Sequence, residues 1–171
     1  MSRAAPTLLS LVVVACLPAC SSPTSSSATL SMTLTANPDP ATASGPTGVQ
    51  YKVTNADSTV SYYEYSYRTS FTVTLLETGG TALDITAIDL KVQQATGGIV
   101  ITPSGGDQIY NKFNSSAVTN RINAKGSADV GFDVWYTLPN QGKEALVTVG
   151  FSFKDDKDNT YSKTLAVKVA P

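Results

Sequence analysis

Histidine is absent from all 171 residues. That absence removes Ser-His-Asp and Cys-His catalysis, and histidine-ligated zinc or haem, from consideration. Cysteine is confined to Cys16 and Cys20. Charge is sparse and balanced, with 12 basic against 13 acidic side chains and a net charge of −1. No basic face therefore offers itself to nucleic acid, and no acidic tail suggests a solvating role. The apolar run from Leu8 to Leu17 is too short to cross a bilayer as a helix. Helical apolar spacing is not sustained beyond two turns anywhere in the chain, so helices should be minor.

What is present begins with an ordered N-terminal series. Arg3 precedes the Leu8 to Leu17 run, which ends in Leu17-Pro18-Ala19-Cys20 and is followed by Ser21-Ser22-Pro23-Thr24-Ser25-Ser26-Ser27. The series resembles the leader, lipobox and tether of a bacterial lipoprotein. A small residue before the cysteine suits the peptidase, and the cysteine thiolate is the nucleophile that takes up diacylglycerol. The resemblance implies a signal peptide over 1–19, lipidation at Cys20 and a flexible serine-rich tether over 20–28. Val13-Val14-Ala15-Cys16 fits the same pattern and is the rival site; Cys20 is preferred because cleavage there leaves the whole apolar run behind. An ordinary secreted protein cut near Ala19 or Ala28 is the plainer alternative. Acylated at Cys20, the mature chain has neither free thiol nor disulfide, so its core alone must hold the fold. The resemblance also implies a cell-envelope location with the membrane contacted through two or three acyl chains. Because Ser21 and not aspartate follows the cysteine, it implies the outer membrane where the organism has one.

Residues 29–171 form a single domain's length of chain. Period-two alternation recurs through it, with threonine in many of the intervening positions, as in a half-buried antiparallel sheet. Strands are expected at Leu30 to Ala36, stopped by Asn37-Pro38-Asp39-Pro40, at Val49 to Val53 and at Phe71 to Leu75. Leu83 and Ile85 lie on one parity and Ile88, Leu90 and Val92 on the other, so a bulge near Ala87 is expected. Ile99 to Ile101 reads as a brief strand, and Asp107 to Asn123 as a long irregular connection with at most one short strand or helical turn. Val130 to Leu138 is the cleanest strand and should be central. Ala145 to Phe153 and Leu165 to Val169 form a hairpin around Asp155-Asp156-Lys157-Asp158-Asn159.

The expected fold is all-β: an antiparallel sandwich of about seven to nine strands, with barrel-like closure as the alternative. The rhythm of strands and turns is similar to an immunoglobulin-like domain of bacterial surface proteins. The cysteine pair and intervening tryptophan of antibody domains are missing, which places the likeness with disulfide-free branches such as fibronectin type III or bacterial adhesion modules.

Ser61-Tyr62-Tyr63-Glu64-Tyr65-Ser66-Tyr67-Arg68 is dense in tyrosine, and if extended it sets Tyr63, Tyr65 and Tyr67 on one face. Tyrosine supplies rigid contact area with a polar tip, suited to a sugar or a protein partner; rings covering a sheet edge are the plainer account. Trp135 has the parity of Asp133 and Thr137 and should face away from the core, as a binding platform or beneath the Asp107 to Asn123 connection. Asp155 to Asn159 clusters carboxylates, but Lys157 opposes the charge and no glycine or terminal glutamate completes a calcium loop, so a hairpin turn is expected and no metal site. Asp84 and Asp89 read as surface charges.

No nucleophile, base and orienting group can be assembled, so no catalytic residue and no cofactor is expected. The function expected is non-catalytic: a lipid-anchored envelope protein whose domain serves adhesion, assembly or binding of an envelope protein partner. Contact is expected through the loops at one end or by strand addition at an edge such as Leu165 to Val169. Glycan binding through Tyr63, Tyr65, Tyr67 and Trp135 is the alternative, and an inhibitor-like domain presenting residues 103–123 is a third class.

Overall fold

The computed structural model describes residues 30–97, 99–101, 109–139 and 144–171, with only the backbone of 99–101. The expected leader, both cysteines, the tether and the Pro103 to Gly106 turn lie outside the described residues.

The alternation of the sequence becomes strands wherever both of its faces are used. Among the described residues twelve strands form: β1 Met32–Asn37, β2 Ala41–Thr42, β3 Gln50–Thr54, β4 Val60–Glu64, β5 Tyr67–Glu77, β6 Leu83–Thr96, β7 Ile99–Ile101, β8 Tyr110–Ala117, β9 Arg121–Ile122, β10 Ser127–Thr137, β11 Ala145–Asp155 and β12 Thr160–Ala170. No helix occurs among the described residues. One sheet has the order β1-β5-β10-β8, and the facing sheet runs β2-β12-β11-β6-β7 with β9 also on β6. Lettered along the chain, these are the ABED sheet and the GFC sheet with an added C′ strand, the immunoglobulin-like order. All pairings are antiparallel except β2 on β12.

The count exceeds the expected seven to nine because the start of the tyrosine run pairs as β4, and because β2 and β9 are two residues long and exist only through tertiary pairing. In β8, the sequence YNKFNSSA puts partly covered residues at Tyr110 and Phe113 and leaves the rest exposed, so its edge position hides it from a period-two reading. The bulge expected near Ala87 is present: pairing steps from Ser152↔Ala87 to Phe153↔Ile85, leaving Thr86 as the extra residue. β10 lies between β5 and β8, as its clean alternation required.

The core is the pair of inward faces. Val73, Leu75, Val130, Val134 and Tyr136 meet Val147, Val149, Phe153 and Val167, all fully buried. Phe132 of β10 meets Phe151 of β11 edge-to-face across the layers, with ring centroids 6.1 Å apart. Burying a side chain of this size stabilises by about 1.5–3 kcal/mol, which is how the described domain holds together without a cross-link.

Asn37-Pro38-Asp39-Pro40 ends β1 because two residues there lack an N–H for the ladder. The chain then crosses to the other sheet, where β2 pairs with Val169 and Ala170. The expected open edge at Leu165 to Val169 is therefore closed only at its Lys168–Val169 end. That end is capped by β2, and Asp39 Oδ1 accepts the Lys168 N–H at 3.4 Å.

Candidate functional site

Two features rise from the outer side of the β1-β5-β10-β8 sheet: a hairpin at one end and a polar face beside it.

The hairpin is β3–β4, a separate two-stranded sheet inserted between β2 and β5. Its neck is fixed by backbone bonds in both directions between Ser44 and Arg68, at 2.8 and 2.7 Å. The Thr47 hydroxyl donates to the Tyr65 carbonyl at 2.7 Å, and the Tyr65 N–H to the Val49 carbonyl at 2.9 Å. Gly45 packs against the Ser66 carbonyl so closely that a Cβ has no room. One hairpin face carries Tyr51, paired with Tyr63. The Tyr51 ring stacks on Tyr110 of β8 with centroids 4.5 Å apart, and lies 4.8 Å from Tyr65 and 5.8 Å from Tyr63. The other face, Gln50, Lys52, Thr54, Val60, Tyr62 and Glu64, is exposed throughout, with Tyr62 at 65% and Val60 at 44%.

The tyrosine run therefore does not make the shared face expected for Tyr63, Tyr65 and Tyr67. The chain leaves β4 at Glu64 and enters β5 at Tyr67, so Tyr67 parts from Tyr63 and Tyr65, which both lie against Tyr51. Tyr63 stays half exposed at 50%, while Tyr65 is buried at 6%. Tyr67 packs on the core ring of Tyr136 with centroids 5.6 Å apart. Burial, with the Tyr51 hydroxyl adding to it, pushes the Tyr65 phenol above its ordinary range. Tyr51 and Tyr110, which complete the cluster, carry no local signal of it: Tyr51 alternates with Val49 and Val53 as an ordinary strand residue, Tyr110 follows Ile109 in a polar stretch, and only the fold brings them together.

Trp135 does face away from the core, on the polar side of β10. Arg68 of β5 and Lys112 of β8 pair with it from either side in the register. The Arg68 guanidinium carbon lies 5.4 Å, and the Lys112 Nζ 5.7 Å, from the ring centroid. Cations from both neighbouring strands hold the half-buried ring, so it is not a free stacking platform. Its cover is Lys112, on the strand that replaces the expected irregular connection.

Next along the same face, Asp133 accepts from Arg68 and from the Ser70 hydroxyl, each at 2.6 Å. The Ser70 hydroxyl first, and then Arg68, hold the Asp133 carboxyl below its ordinary range against the opposing pull of partial burial. Beyond Asp133 the rows continue as Asn114, then Thr72, Gly131 and Ser116, then Thr74 donating to Asp129 at 2.6 Å. Above Gly131 the face dips into a recess of about 410 Å³.

At the opposite end of the sandwich the acidic turn is structural. Asp155 Oδ1 accepts the backbone N–H groups of Lys157 and Asn159, and Oδ2 accepts from the Asn159 amide and the Tyr161 hydroxyl, all at 2.8–2.9 Å. The carboxylate is spent on its own turn. Asp84 is at the surface as expected, bridged by Arg121 to Asp156, and Asp89 lies exposed on the outer face of β6.

No family model matches this chain, and no curated protein matches it. Among solved structures it is similar to the secreted serine protease VesC from Vibrio cholerae, at 16% identity and a TM-score of 0.36 over 60% of this chain. The chain spans 19% of the length of that protein.

Proposed function

We propose that the protein is a non-catalytic, lipid-anchored component of the cell envelope whose immunoglobulin-like domain binds a protein partner through the β3–β4 hairpin, in adhesion or assembly. The observation that carries this reading is the hairpin itself. It is a two-stranded sheet with one tyrosine face clamped to the sandwich and the other left to solvent, carrying Tyr62, Val60 and Lys52. A free hairpin is marginal in water, and the Tyr51–Tyr110 clamp pre-organises it, which lowers the ordering cost of binding. Placement supports the same reading. Ser31 lies against the β5–β6 turn through the Thr78 N–H, whereas the hairpin neck is at Arg68, at the other end of β5. At about 3.3 Å per residue the two ends are about 30 Å apart, so a chain tethered before residue 30 holds the hairpin away from the membrane.

The test places a photo-crosslinking amino acid at position 62 in cells making the full chain, beside Cys20→Ser and Tyr62→Ser variants. One discrete crosslinked protein, lost when Lys52→Glu is added to the chain carrying the crosslinker, and competed away by excess wild-type chain but not by excess Tyr62→Ser, Lys52→Glu chain, is the expected result. Release of the Cys20→Ser chain from the membrane fraction is expected for the anchor. Crosslinks at position 62 to no protein sink the partner reading, and a Cys20→Ser chain still membrane-bound sinks lipidation at that residue.

A further inference from the structure

Gly131 stands in the middle of a central strand, where glycine costs about 0.5–1 kcal/mol relative to a residue with a side chain. Such glycines mark bulges, sharp bends, or places where a ligand or another backbone comes close. Neither of the first two applies. Gly131 pairs in regular register with Thr72 on β5 and with Ser116 on β8. A Cβ built on it meets the Ser116 Oγ at 3.0 Å and the Ser116 carbonyl only at 3.8 Å. The hydroxyl can turn to another rotamer, so a side chain fits once that one small group gives way.

Gly150 is the counterpart on β11 in the other sheet, also turned outward. There the Asp89 carboxylate lies across the glycine and occupies the space. Over Gly131 only the small Ser116 hydroxyl comes near, and the sheet face there is the floor of the recess of about 410 Å³, within the roughly 300–1,000 Å³ of small-molecule sites.

We propose that this recess is a subsite for one neutral sugar residue of a glycan, held by hydrogen bonds on the sheet face and not by stacking on Trp135. Its rim carries Asn37, Ser70, Thr72, Asn114, Ser116 and Asp133, a set of hydroxyls, amides and one carboxylate that both donates and accepts, as a ring of sugar hydroxyls requires. Both bonds to Asp133 fall on Oδ1, which leaves Oδ2 to accept from a ligand hydroxyl. Arg68 balances the Asp133 charge at 2.6 Å, so the recess favours neither anion nor cation. The cations flanking Trp135 exclude a pyranose from its faces, which moves any sugar contact from the rings to the polar floor. This site is separate from the hairpin, and each stands or falls alone.

The experiment is an amide NMR titration of the purified full chain in a zwitterionic detergent. The probes are maltotetraose, cellotetraose, mannotetraose and chitotetraose, with tetragalacturonate as the charged control. Expected is a saturable shift by at least one neutral probe, centred on the amides of Ser70, Thr72, Asn114, Ser116 and Gly131. Gly131→Val fills the hollow with a strong strand former and should weaken that probe by roughly tenfold or more, about 1.4 kcal/mol, with a Tm no lower than that of the wild type. Asn114→Ala, on an exposed edge strand, repeats the test without touching a central strand, and Asp133→Asn should weaken binding without changing which probe is preferred. No saturable shift from any neutral probe, tighter binding of tetragalacturonate, shifts centred on Tyr62 and Tyr63, or full-strength binding by both Gly131→Val and Asn114→Ala would each overturn the proposal.

Discussion

The Glu77 carboxylate accepts the backbone N–H of Lys125 at 2.8 Å across 48 residues of chain. Its other oxygen takes Gly79 at 2.6 Å, and Gly80 donates at 2.8 Å beside Lys125. One buried carboxylate thus ties the β5–β6 turn to the turn before β10, at the end of the sandwich where the described chain begins.

Removing that carboxylate should be among the costlier substitutions outside the apolar core. Glu77→Ala leaves these N–H groups without their acceptor in a buried site, each at about 1–3 kcal/mol when unsatisfied, so a loss of about 3 kcal/mol or more in urea unfolding is expected. Glu77→Gln, which keeps one acceptor oxygen, should lose less.

Acid should weaken the same end of the molecule. Burial pushes Glu77 up, but backbone N–H donors from Lys125, Gly80, Gly79 and Thr81 outweigh it and hold the group below its ordinary 4.5. The Asn159 side chain, then the Lys157 N–H and the Tyr161 hydroxyl, hold Asp155 down to about 2 from 3.8. Both folded values lie below the unfolded ones. Their stabilisation is therefore fully present above about pH 4.5 and is lost as pH falls towards 2. Urea midpoints measured against pH should drop through that window, and the drop should be shallower in Asp155→Asn and in Glu77→Gln.

Thr69 offers a gain. It is buried at 2% in β5, and its Oγ1 has no hydrogen-bond partner among the described residues. Thr69→Val keeps the shape, removes the unpaired hydroxyl and suits a strand. Stabilisation by about 1 kcal/mol is expected, read as a higher Tm with unchanged circular dichroism.

Tyr51→Ala should release the hairpin and spare the sandwich. The ring contacts with Tyr110, Tyr65 and Tyr63 contribute about 0.5–1.5 kcal/mol each. Hydrogen exchange should quicken across Gln50–Thr54 and Val60–Glu64, and limited proteolysis should cut there, while β10 and β11 amides stay protected.

Strand existence was legible because a half-buried strand must alternate. Val130 to Leu138, the β11–β12 hairpin and the bulge beside Ala87 follow from parity alone, since the wrong parity would put valine and phenylalanine in water. Edge strands escape this logic. β8 has polar residues at most of its positions, and β2 and β9 are too short to show a period, so neither register nor existence is written in them.

By itself, the sequence determined the all-β class, the central strands, the outward parity of Trp135 and the lack of histidine chemistry, all of which depend on residue type and spacing. Tertiary structure decided which tyrosines meet. Tyr51 and Tyr110 stack although they are far apart in the chain, whereas Tyr65 and Tyr67, two residues apart, face different neighbours. It also decided that the Asp89 carboxylate fills the space over Gly150 while only the small Ser116 hydroxyl comes near Gly131. Local spacing sets the side on which a residue emerges, but what it meets there is set by strands that arrive from elsewhere in the chain, and no local pattern records that.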